Sequence, residues 1–362
     1  MAKTQHVCLD EVVGYFDELE DPRSNVNQRH PLVSVVVIAI MAVLAGSGGP
    51  TAIAKWAKFK AEFLLKVLNL PNGIPCKDVF RRVLSLLKPD AFQRCFVSWL
   101  QALRDSAAEE SDVDKPILAV DGKTARRSHD RKNGLGPLHA VSVWASEFGL
   151  SLGQVACAEK SNEITAIPEL LRLVDIKGTI ITIDAMGTQK AIAAQNHRQR
   201  CRLCFGFERK PRDAASGHGR TETRCYDIIT DPPAFELPGW SEVRVIGMCC
   251  RERTCEGKVS TEVNYFIGSR KTTAKVYGKA LRNHWGIENG LHWILDVAFA
   301  EDKNRVSKRH GTENLAQVRR VALSLLKQHP DKRSIACKRL RAALEPAFLE
   351  EVLRIDGNSE KV

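Results

Sequence analysis

Two apolar stretches of the sequence end in an aspartate and could place two carboxylates side by side. They are Ile117–Asp121 (ILAVD) and Thr179–Asp184 (TIITID), and both are typical of short buried strands. The carboxyl ends of strands in an open α/β sheet form the edge where such folds place their functional sites. Asp121 and Asp184 are therefore candidate functional acids. Taken alone, Asp121-Gly122 is better explained as a turn, since both residue types favour turns.

A third candidate lies late in the chain, in the stretch HWGIENGLHW. His284, Glu288 and His292 are spaced four residues apart, so they would share one face of a helix. These residue types could hold a zinc ion. They could equally be ordinary polar groups on a helix surface. Trp285 and Trp293 would lie at the sides of that face, as core or groove-edge aromatics.

The elements that must position these residues follow an α/β pattern. Leu138–Ala145 and Ser151–Ala158 indicate a hairpin, and Glu163–Val174 and Gly187–Gln195 indicate helices. With the two strands that end in acids, this order predicts a mixed sheet. The later segments predict three short strands and four helices, at Tyr226–Ile229, Val243–Met248, Asn264–Ile267, Lys275–Leu295, Glu313–Lys327, Ser334–Leu344 and Ala347–Arg354.

The N-terminal part of the chain is predicted to be a helical domain over residues 1–104. Apolar residues recur at helical spacing in Ile53–Leu68 and Val79–Leu87, and Ala91–Leu103 closes the block. An acidic linker is expected over 105–114, before an α/β domain over 115–362. The apolar run Leu32–Gly46 has 15 residues. A membrane span needs about 20, so a buried helix is expected.

Composition restricts the class of protein without identifying a function. The 362 residues carry a formal charge of +11, which permits an anionic partner such as nucleic acid. Hydrophobic residues make up 44% of the chain, which excludes an overall disordered or fibrous protein. The 11 cysteines, in a chain that opens without a secretory signal, predict free thiols in the reducing cytoplasm.

Several longer motifs resemble the transposases of the H-repeat-associated insertion-sequence group, and together they cover nearly the whole chain. The stretch FDELEDPR at 16–23 is similar to that group's associated helical domain. The other motifs are DGKT at 121–124, EKSNEITAIPELL at 159–171, IDAMG at 183–187, QKAI at 189–192, HGR at 218–220, HWGIENGLHWILD at 284–296 and ENLA at 313–316.

The resemblance implies a DDE transposase with a ribonuclease H-like core, which is an α/β fold with a mixed sheet. It places the catalytic acids at Asp121, Asp184 and Glu288, which would hold two Mg²⁺ (or Mn²⁺) ions about 4 Å apart. Such ions prefer oxygen ligands, which disfavours the zinc interpretation. The implied reaction nicks DNA at insertion-sequence ends and transfers the 3′-hydroxyl to target DNA. A homo-dimer or larger assembly, associated with the nucleoid, would hold the two ends.

The chain departs from related DDE families around Glu288. The tyrosine, arginine and lysine that accompany this glutamate there are replaced by Leu281, His284 and Leu295. Candidate DNA contacts are Lys123, Arg282, His284, His292, Lys303 and Arg305. Arg282, Lys303 and Arg305 are the residues that could replace the missing basic residues in contacting phosphate. Each of them could equally belong to a solvated basic helix end. The resemblance also implies a strand-rich insertion over 218–272 and C-terminal helices over 313–362.

The segment between the QKAI and HGR motifs differs from the strand that the family carries there. Gln195–Asp213 (QNHRQRCRLCFGFERKPRD) can be assigned codons that, read one base later, encode KIIGKGADYVLALKGNQG, which resembles the family strand. We interpret the segment as frame-shifted and expect disorder or poor packing over 196–217. On that hypothesis Cys201 and Cys204 are not half of a zinc site, and the local arginines are not an evolved DNA-binding patch.

Two functions remain open at this stage. The three acids favour an active transposase, whereas the altered segment favours a catalytically inactive remnant that still binds DNA. A metal-dependent hydrolase on an unrelated scaffold is a third alternative, which the specific motifs make remote.

Overall fold

Helices flank one mixed β-sheet in this protein. The computed structural model describes residues 14–16, 18–109, 116–129, 136–157, 163–184, 187–190, 192–193, 202–207, 220–232, 240, 242–255, 258–306 and 308–353. The helices are α1 (Leu32–Leu44), α2 (Pro50–Phe59), α3 (Ala61–Val67), α4 (Lys77–Leu86), α5 (Pro89–Glu109), α6 (Glu163–Leu173), α7 (Ala274–His284), α8 (Trp293–Val297), α9 (Gly311–Gln328), α10 (Ile335–Leu344) and α11 (Pro346–Leu353). The strands are β1 (Ile117–Ala125), β2 (Leu138–Ala145), β3 (Leu150–Cys157), β4 (Ile180–Ile183), β5 (Arg202–Phe207), β6 (Arg220–Thr230), β7 (Val245–Cys255) and β8 (Lys258–Gly268).

The described strands form one continuous sheet in the order β3-β2-β1-β4-β5-β8-β7-β6. β1, β2 and β3 pair antiparallel, while β4 pairs parallel to β1 and β5 parallel to β4. β8 pairs antiparallel with β5, β7 with β8, and β6 with β7. The predicted mixed α/β architecture is therefore confirmed, and the strands expected over 218–272 extend the same sheet.

The apolar run near the N-terminus forms α1, which is buried over nearly its whole circumference. All its residues except Val33 are enclosed, and it packs against α2, α4 and α9. Its one hydroxyl, on Ser34, donates a hydrogen bond to the Asn69 backbone oxygen at 2.9 Å. Among the described residues no helix is long and apolar enough to cross a membrane. The expected buried helix is confirmed.

Helices from both ends of the chain share a core with the sheet. α9 packs against α1, α4, α5 and β3, and its Asn314 amide donates hydrogen bonds to the backbone oxygens of Leu84 and Leu87 at 2.8 and 2.9 Å. Arg339 of α10 donates to the Val43 oxygen at 2.7 Å. One buried apolar cluster joins these helices to β1, β2 and β3. The N-terminal helices are thus the layer that covers one part of the sheet.

Two helical segments differ from the expected boundaries. α5 continues to Glu109, so the first half of the predicted linker 105–114 is helical, and its remainder lies outside the described residues. No glycine or proline interrupts residues 105–109. The single helix expected over Lys275–Leu295 is divided, because α7 ends at His284 and a π-helical turn over Glu288–His292 precedes α8.

A strand occupies the middle of the segment that was expected to be disordered. β5 pairs with β4 on one side and with β8 on the other. Strand pairing requires an extended backbone with available N–H and C=O groups, and the stretch RLCFGF contains no proline. The expectation of a lost strand is therefore wrong for 202–207. The rest of 196–217, including Cys201, lies outside the described residues, as does most of the helix expected over Gly187–Gln195.

Glu313, in the first turn of α9, provides a test of how α9 is buried in the fold. Burial, reinforced by Asp90 and Glu169, raises the pKa of Glu313 to about 7. Because the folded state holds this proton more tightly than the unfolded state, the carboxylate costs stability as pH rises above about 4.5, and the cost levels off above pH 7. We expect Glu313→Gln to stabilise the fold at pH 8 by up to about 3 kcal/mol, and much less at pH 5.

Urea unfolding of both proteins across this pH range measures the difference. Glu62→Gln, an exposed acid of α3, is the control and should give no such trend. A stabilisation by Glu313→Gln that does not change with pH would contradict the assignment.

Candidate active site

Asp121 and Asp184 lie at neighbouring positions on adjacent parallel strands. The register of β1 and β4 runs from the pair Ile117 and Ile180 to the pair Val120 and Ile183. Asp121 and Asp184 follow as the next residues of the two strands, whose backbones are about 4.8 Å apart. β1 continues to Ala125 along β2, so Asp121 marks the end of its pairing with β4 and not the end of the strand. The register therefore brings the two acids to adjacent strands, as the sequence predicts, and their shared role in a site stays a prediction.

The third acid reaches this edge from the π-helical turn. One ligand atom each from Asp121, Glu288 and His292 lies within 4.8 Å of the others. The His292 Nδ1 atom is 3.6 Å from Asp121 Oδ2 and 3.5 Å from Glu288 Oε2. The backbone N–H of Trp293 donates to the Glu288 oxygen, five residues earlier. Such a turn inserts one residue into a helix and is frequent at functional sites.

Two glycines allow this helical turn to lie directly on the sheet. A Cβ atom at Gly290 would be 2.9 Å from Cζ2 of the Trp144 ring, and one at Gly286 would be 2.9 Å from the Ser146 hydroxyl. Ser146 itself donates a hydrogen bond to the Asn283 backbone oxygen at 2.8 Å. β2 therefore sets the distance at which Glu288 and His292 are held from β1.

A buried polar group braces the opposite face of β1. His139 Nε2 lies 2.6 Å from Glu163 Oε1, and His139 Nδ1 lies 2.8 Å from the Thr124 hydroxyl. Gly122 passes so close that a Cβ atom there would lie 2.5 Å from Glu163 Oε1. The Gly122 N–H donates to Asp121 Oδ1 at 2.9 Å. The residue next to Asp121 is therefore held from both sides.

The electrostatics of the site favour a bound cation. Burial, followed by the negative charge of Glu288 and then of Asp184, raises the pKa of Asp121 well above its ordinary value, although the Gly122 N–H opposes this. Burial lowers the pKa of His292 and of His284, so both imidazoles favour the neutral form. Burial and the negative charges of Glu288 and Asp184 thus disfavour the ionised form of Asp121.

His284 is not part of the group of ligand atoms formed by Asp121, Glu288 and His292. Its Nδ1 atom lies 3.0 Å from the Thr182 hydroxyl of β4. The zinc site considered for His284, Glu288 and His292 does not form, since only the last two converge, together with Asp121. His292 is only 5% exposed, so its imidazole is not accessible for the DNA contact that was expected. His284 lines a pocket together with Asp184, and its contact with DNA stays a prediction.

Lys123 takes part in a buried ion cluster and not in a surface patch. Its Nζ atom lies 2.7 Å from Asp296, 3.4 Å from Glu301 and 3.6 Å from Asp302. Arg320 also pairs with Glu301 at 3.1 Å. Burial alone would raise the pKa of Glu301, but the surrounding cations outweigh it and lower that pKa. With its ammonium enclosed by three carboxylates, Lys123 is not placed for the DNA contact that was expected.

The other predicted DNA contacts lie on the surface. Arg282, Lys303 and Arg305 are exposed, and Lys308, Arg309 and His310 continue the exposed basic stretch before α9. These positions remain candidate phosphate contacts.

A pocket lies beside Asp184 and was not anticipated from the sequence. Arg224 and Arg251 line it from β6 and β7, and Trp285 lines it from the turn after α7. Arg224 also pairs with Glu222 of its own strand, and Arg251 pairs with Glu262 of β8. Local sequence could not predict this pocket, because it is the register of three late strands that brings these side chains to Asp184.

Comparison with protein families identifies the class of this chain. A family model described as DDE_Tnp_1-associated matches residues 13–100, and one described as Transposase DDE domain matches residues 112–325. The second match covers more than half of the chain. The chain belongs to the transposase DDE domain family.

Similar proteins extend this result over nearly the whole length. "H repeat-associated putative transposase YhhI" from Escherichia coli is 34% identical over 97% of this chain and 100% of its own length. "Putative transposase YncI", also from Escherichia coli, is 33% identical over 96% of this chain and 95% of its own length. The resemblance to H-repeat-associated transposases is confirmed. A structural comparison aligns 96% of this chain with 78% of a chain in the cryo-EM structure of a piggyBac transposase synaptic complex with hairpin DNA. The sequence identity is 10% and the TM-score is 0.39.

The ion cluster around Lys123 predicts a large difference between two neighbouring cations. Lys123→Met removes the buried cation that contacts Asp296, Glu301 and Asp302 together and leaves Glu301 to Arg319 and Arg320. We expect it to destabilise the fold by about 3 kcal/mol. Arg126→Met removes the 83%-exposed partner of Asp302 and should cost less than about 1 kcal/mol. Urea unfolding compares the two variants. Equal losses would show that Lys123 is not the central cation of the cluster.

Proposed function

We propose that this protein is a divalent-metal-dependent DDE transposase that nicks DNA at insertion-sequence ends and joins the 3′-hydroxyl to target DNA. The observation that supports the proposal is the meeting of Glu288 with Asp121 next to the strand that leads into Asp184. Asp121 and Asp184 come from adjacent strands, and Glu288 reaches Asp121 from the helical turn. Membership of the family indicates the class of reaction. Among the described residues, this cluster is the site where we propose that the reaction occurs.

The donor set fits the metal that such a reaction needs. Asp121, Asp184 and Glu288 offer carboxylate oxygens, which suit Mg²⁺ or Mn²⁺. Burial, and then the charges of Glu288 and Asp184, raise the pKa of Asp121. A bound pair of such ions would activate the attacking oxygen and stabilise the leaving one. Asp121 would be the ligand shared by both ions, since Glu288 lies close to it and Asp184 follows the strand next to it.

The surroundings of the acids favour a DNA strand as the substrate. Arg224 and Arg251 line the pocket beside Asp184, while Arg282 and Lys303 are exposed on the segments that flank Glu288. Such cations hold phosphates in register with a reactive centre. We infer that the strand passes Asp184 along this pocket, and that at least two copies of the chain assemble when two DNA ends are joined.

The strand order supports a ribonuclease H-like core. Three antiparallel strands are followed by two strands parallel to the first, in the order β3-β2-β1-β4-β5. On this proposal β6, β7 and β8 are the insertion before the last acid, and they extend the sheet toward the DNA. The helices over 1–104 form the associated domain.

Replacement of the acids tests the proposal. Asp121→Asn, Asp184→Asn and Glu288→Gln keep the size of each side chain but weaken metal ligation, so each should lower DNA nicking about a thousandfold. The substrate is duplex DNA that carries the repeats flanking the gene, assayed with Mg²⁺ or Mn²⁺ on a sequencing gel. Glu62→Gln is the control. Nicking that survives all three substitutions would refute the assignment.

The altered segment around β5 motivates one alternative, a remnant that binds DNA without cutting it. The same assay separates the two functions. A remnant would retain salt-sensitive binding to the repeats, with no nicking by the unmodified chain in either metal. Nicking by the unmodified chain that Asp184→Asn abolishes would exclude the remnant.

A further inference from the structure

The imidazole of His292 is enclosed between the acids of the candidate active site. The residue is 5% exposed, and its Nδ1 atom faces carboxylate oxygens of Asp121 and Glu288. On the other side of the ring, Nε2 is buried and has no hydrogen-bond partner among the described residues. A neutral imidazole carries its proton on one nitrogen, and the other nitrogen offers a lone pair.

The two distances at Nδ1 suit a shared ion better than a direct hydrogen bond. They measure 3.6 Å to Asp121 and 3.5 Å to Glu288, which is longer than the roughly 2.7–3.2 Å of an N–H···O bond. Ligands bound at about 2.1 Å to one ion are separated by about 3 Å when adjacent and about 4.2 Å when opposite. Both observed distances fall between these limits.

We propose that His292 is a third protein ligand of the ion held by Asp121 and Glu288, and that this position therefore selects Mn²⁺ over Mg²⁺. The inference rests on the proposed function, since it concerns one of the ions that the acids would bind. It adds a nitrogen ligand, through Nδ1, to a site that the resemblance defines by carboxylates alone.

The preference follows from the chemistry of the donor set. Mg²⁺ binds oxygen ligands almost exclusively and holds its waters tightly. Imidazole nitrogen suits transition metals, and Mn²⁺ also accepts carboxylate oxygens. A position with two carboxylates and one imidazole thus disfavours Mg²⁺ relative to Mn²⁺.

The π-helical turn gives this arrangement a structural cause. Glu288 and His292 are its first and last residues, and Gly290 between them allows the turn to lie against Trp144. The resulting geometry brings both side chains to Asp121. His284, one turn earlier, is engaged with Thr182 instead, which makes it a matched comparison.

Pulsed electron paramagnetic resonance of Mn²⁺ bound to the intact chain tests ligation without any substitution. A directly bound imidazole gives ¹⁴N modulation of the Mn²⁺ echo. We expect this modulation in the unmodified protein and in His284→Gln, and we expect it to disappear in His292→Gln. Circular dichroism of each variant establishes that it is folded.

Calorimetric titration with the two metals tests the selectivity. His292→Gln should lower the affinity for Mn²⁺ about tenfold or more and change the affinity for Mg²⁺ much less. The ratio of the two affinities therefore falls in this variant and is kept in His284→Gln.

The possible results separate this inference from the proposed function. Mn²⁺ that binds in an Asp121-dependent way but shows no ¹⁴N modulation would overturn the role of His292 and leave the acid site intact. Failure of Mn²⁺ to bind, or binding that Asp121→Asn does not weaken, would overturn the proposed function itself. Equal loss of affinity for Mn²⁺ and Mg²⁺ in a folded His292→Gln would show that His292 only positions Glu288.

Discussion

Electrostatic repulsion among acids brought to one place is the constraint on which the structure of this site depends. Asp121 is largely buried and has Glu288 and Asp184 near it, so the ionised form of the three carboxylates is costly. A divalent cation removes that cost. The scaffold must therefore hold the acids close enough to share ions, against a force that pushes them apart while the ions are absent.

Several packing features supply the opposing force. β1 is fixed in register between β2 and β4, and the His139–Glu163 pair braces its other face. The helical turn with Glu288 rests on Trp144 through Gly290. The cluster around Lys123 ties β1 to the segments after that turn. The site thus depends on rigid elements and not on loops, as a site with precise ligand geometry requires.

Much of this arrangement could be predicted from the sequence. Apolar runs that end in an acid are a local signal, and so the strands with Asp121 and Asp184 were found, as was the buried helix α1. The spacing of four residues identified the helix face that carries Glu288 and His292. The π-helical turn could not be predicted, because local sequence does not show that Gly290 packs against Trp144 of a distant strand. The same limit applies to Lys123, whose carboxylate partners follow it by more than 170 residues.

The strand β5 shows how far sequence pattern and backbone pairing can differ. The stretch lacks alternation and opens on arginine, yet its backbone groups pair with β4 and β8. Neighbouring strands with open edges determine this pairing more than side-chain identity does. The sheet therefore remains continuous from Asp121 to the pocket arginines, whatever the origin of the segment.

Anomalous diffraction from crystals of the full chain soaked in Mn²⁺ tests the central claim most directly, because it locates the ions in relation to the acids. The account predicts a peak at about 2.2 Å from carboxylate oxygens of both Asp121 and Glu288. Carboxylates that lie too far apart to share an ion, with manganese bound elsewhere or not at all, would contradict it.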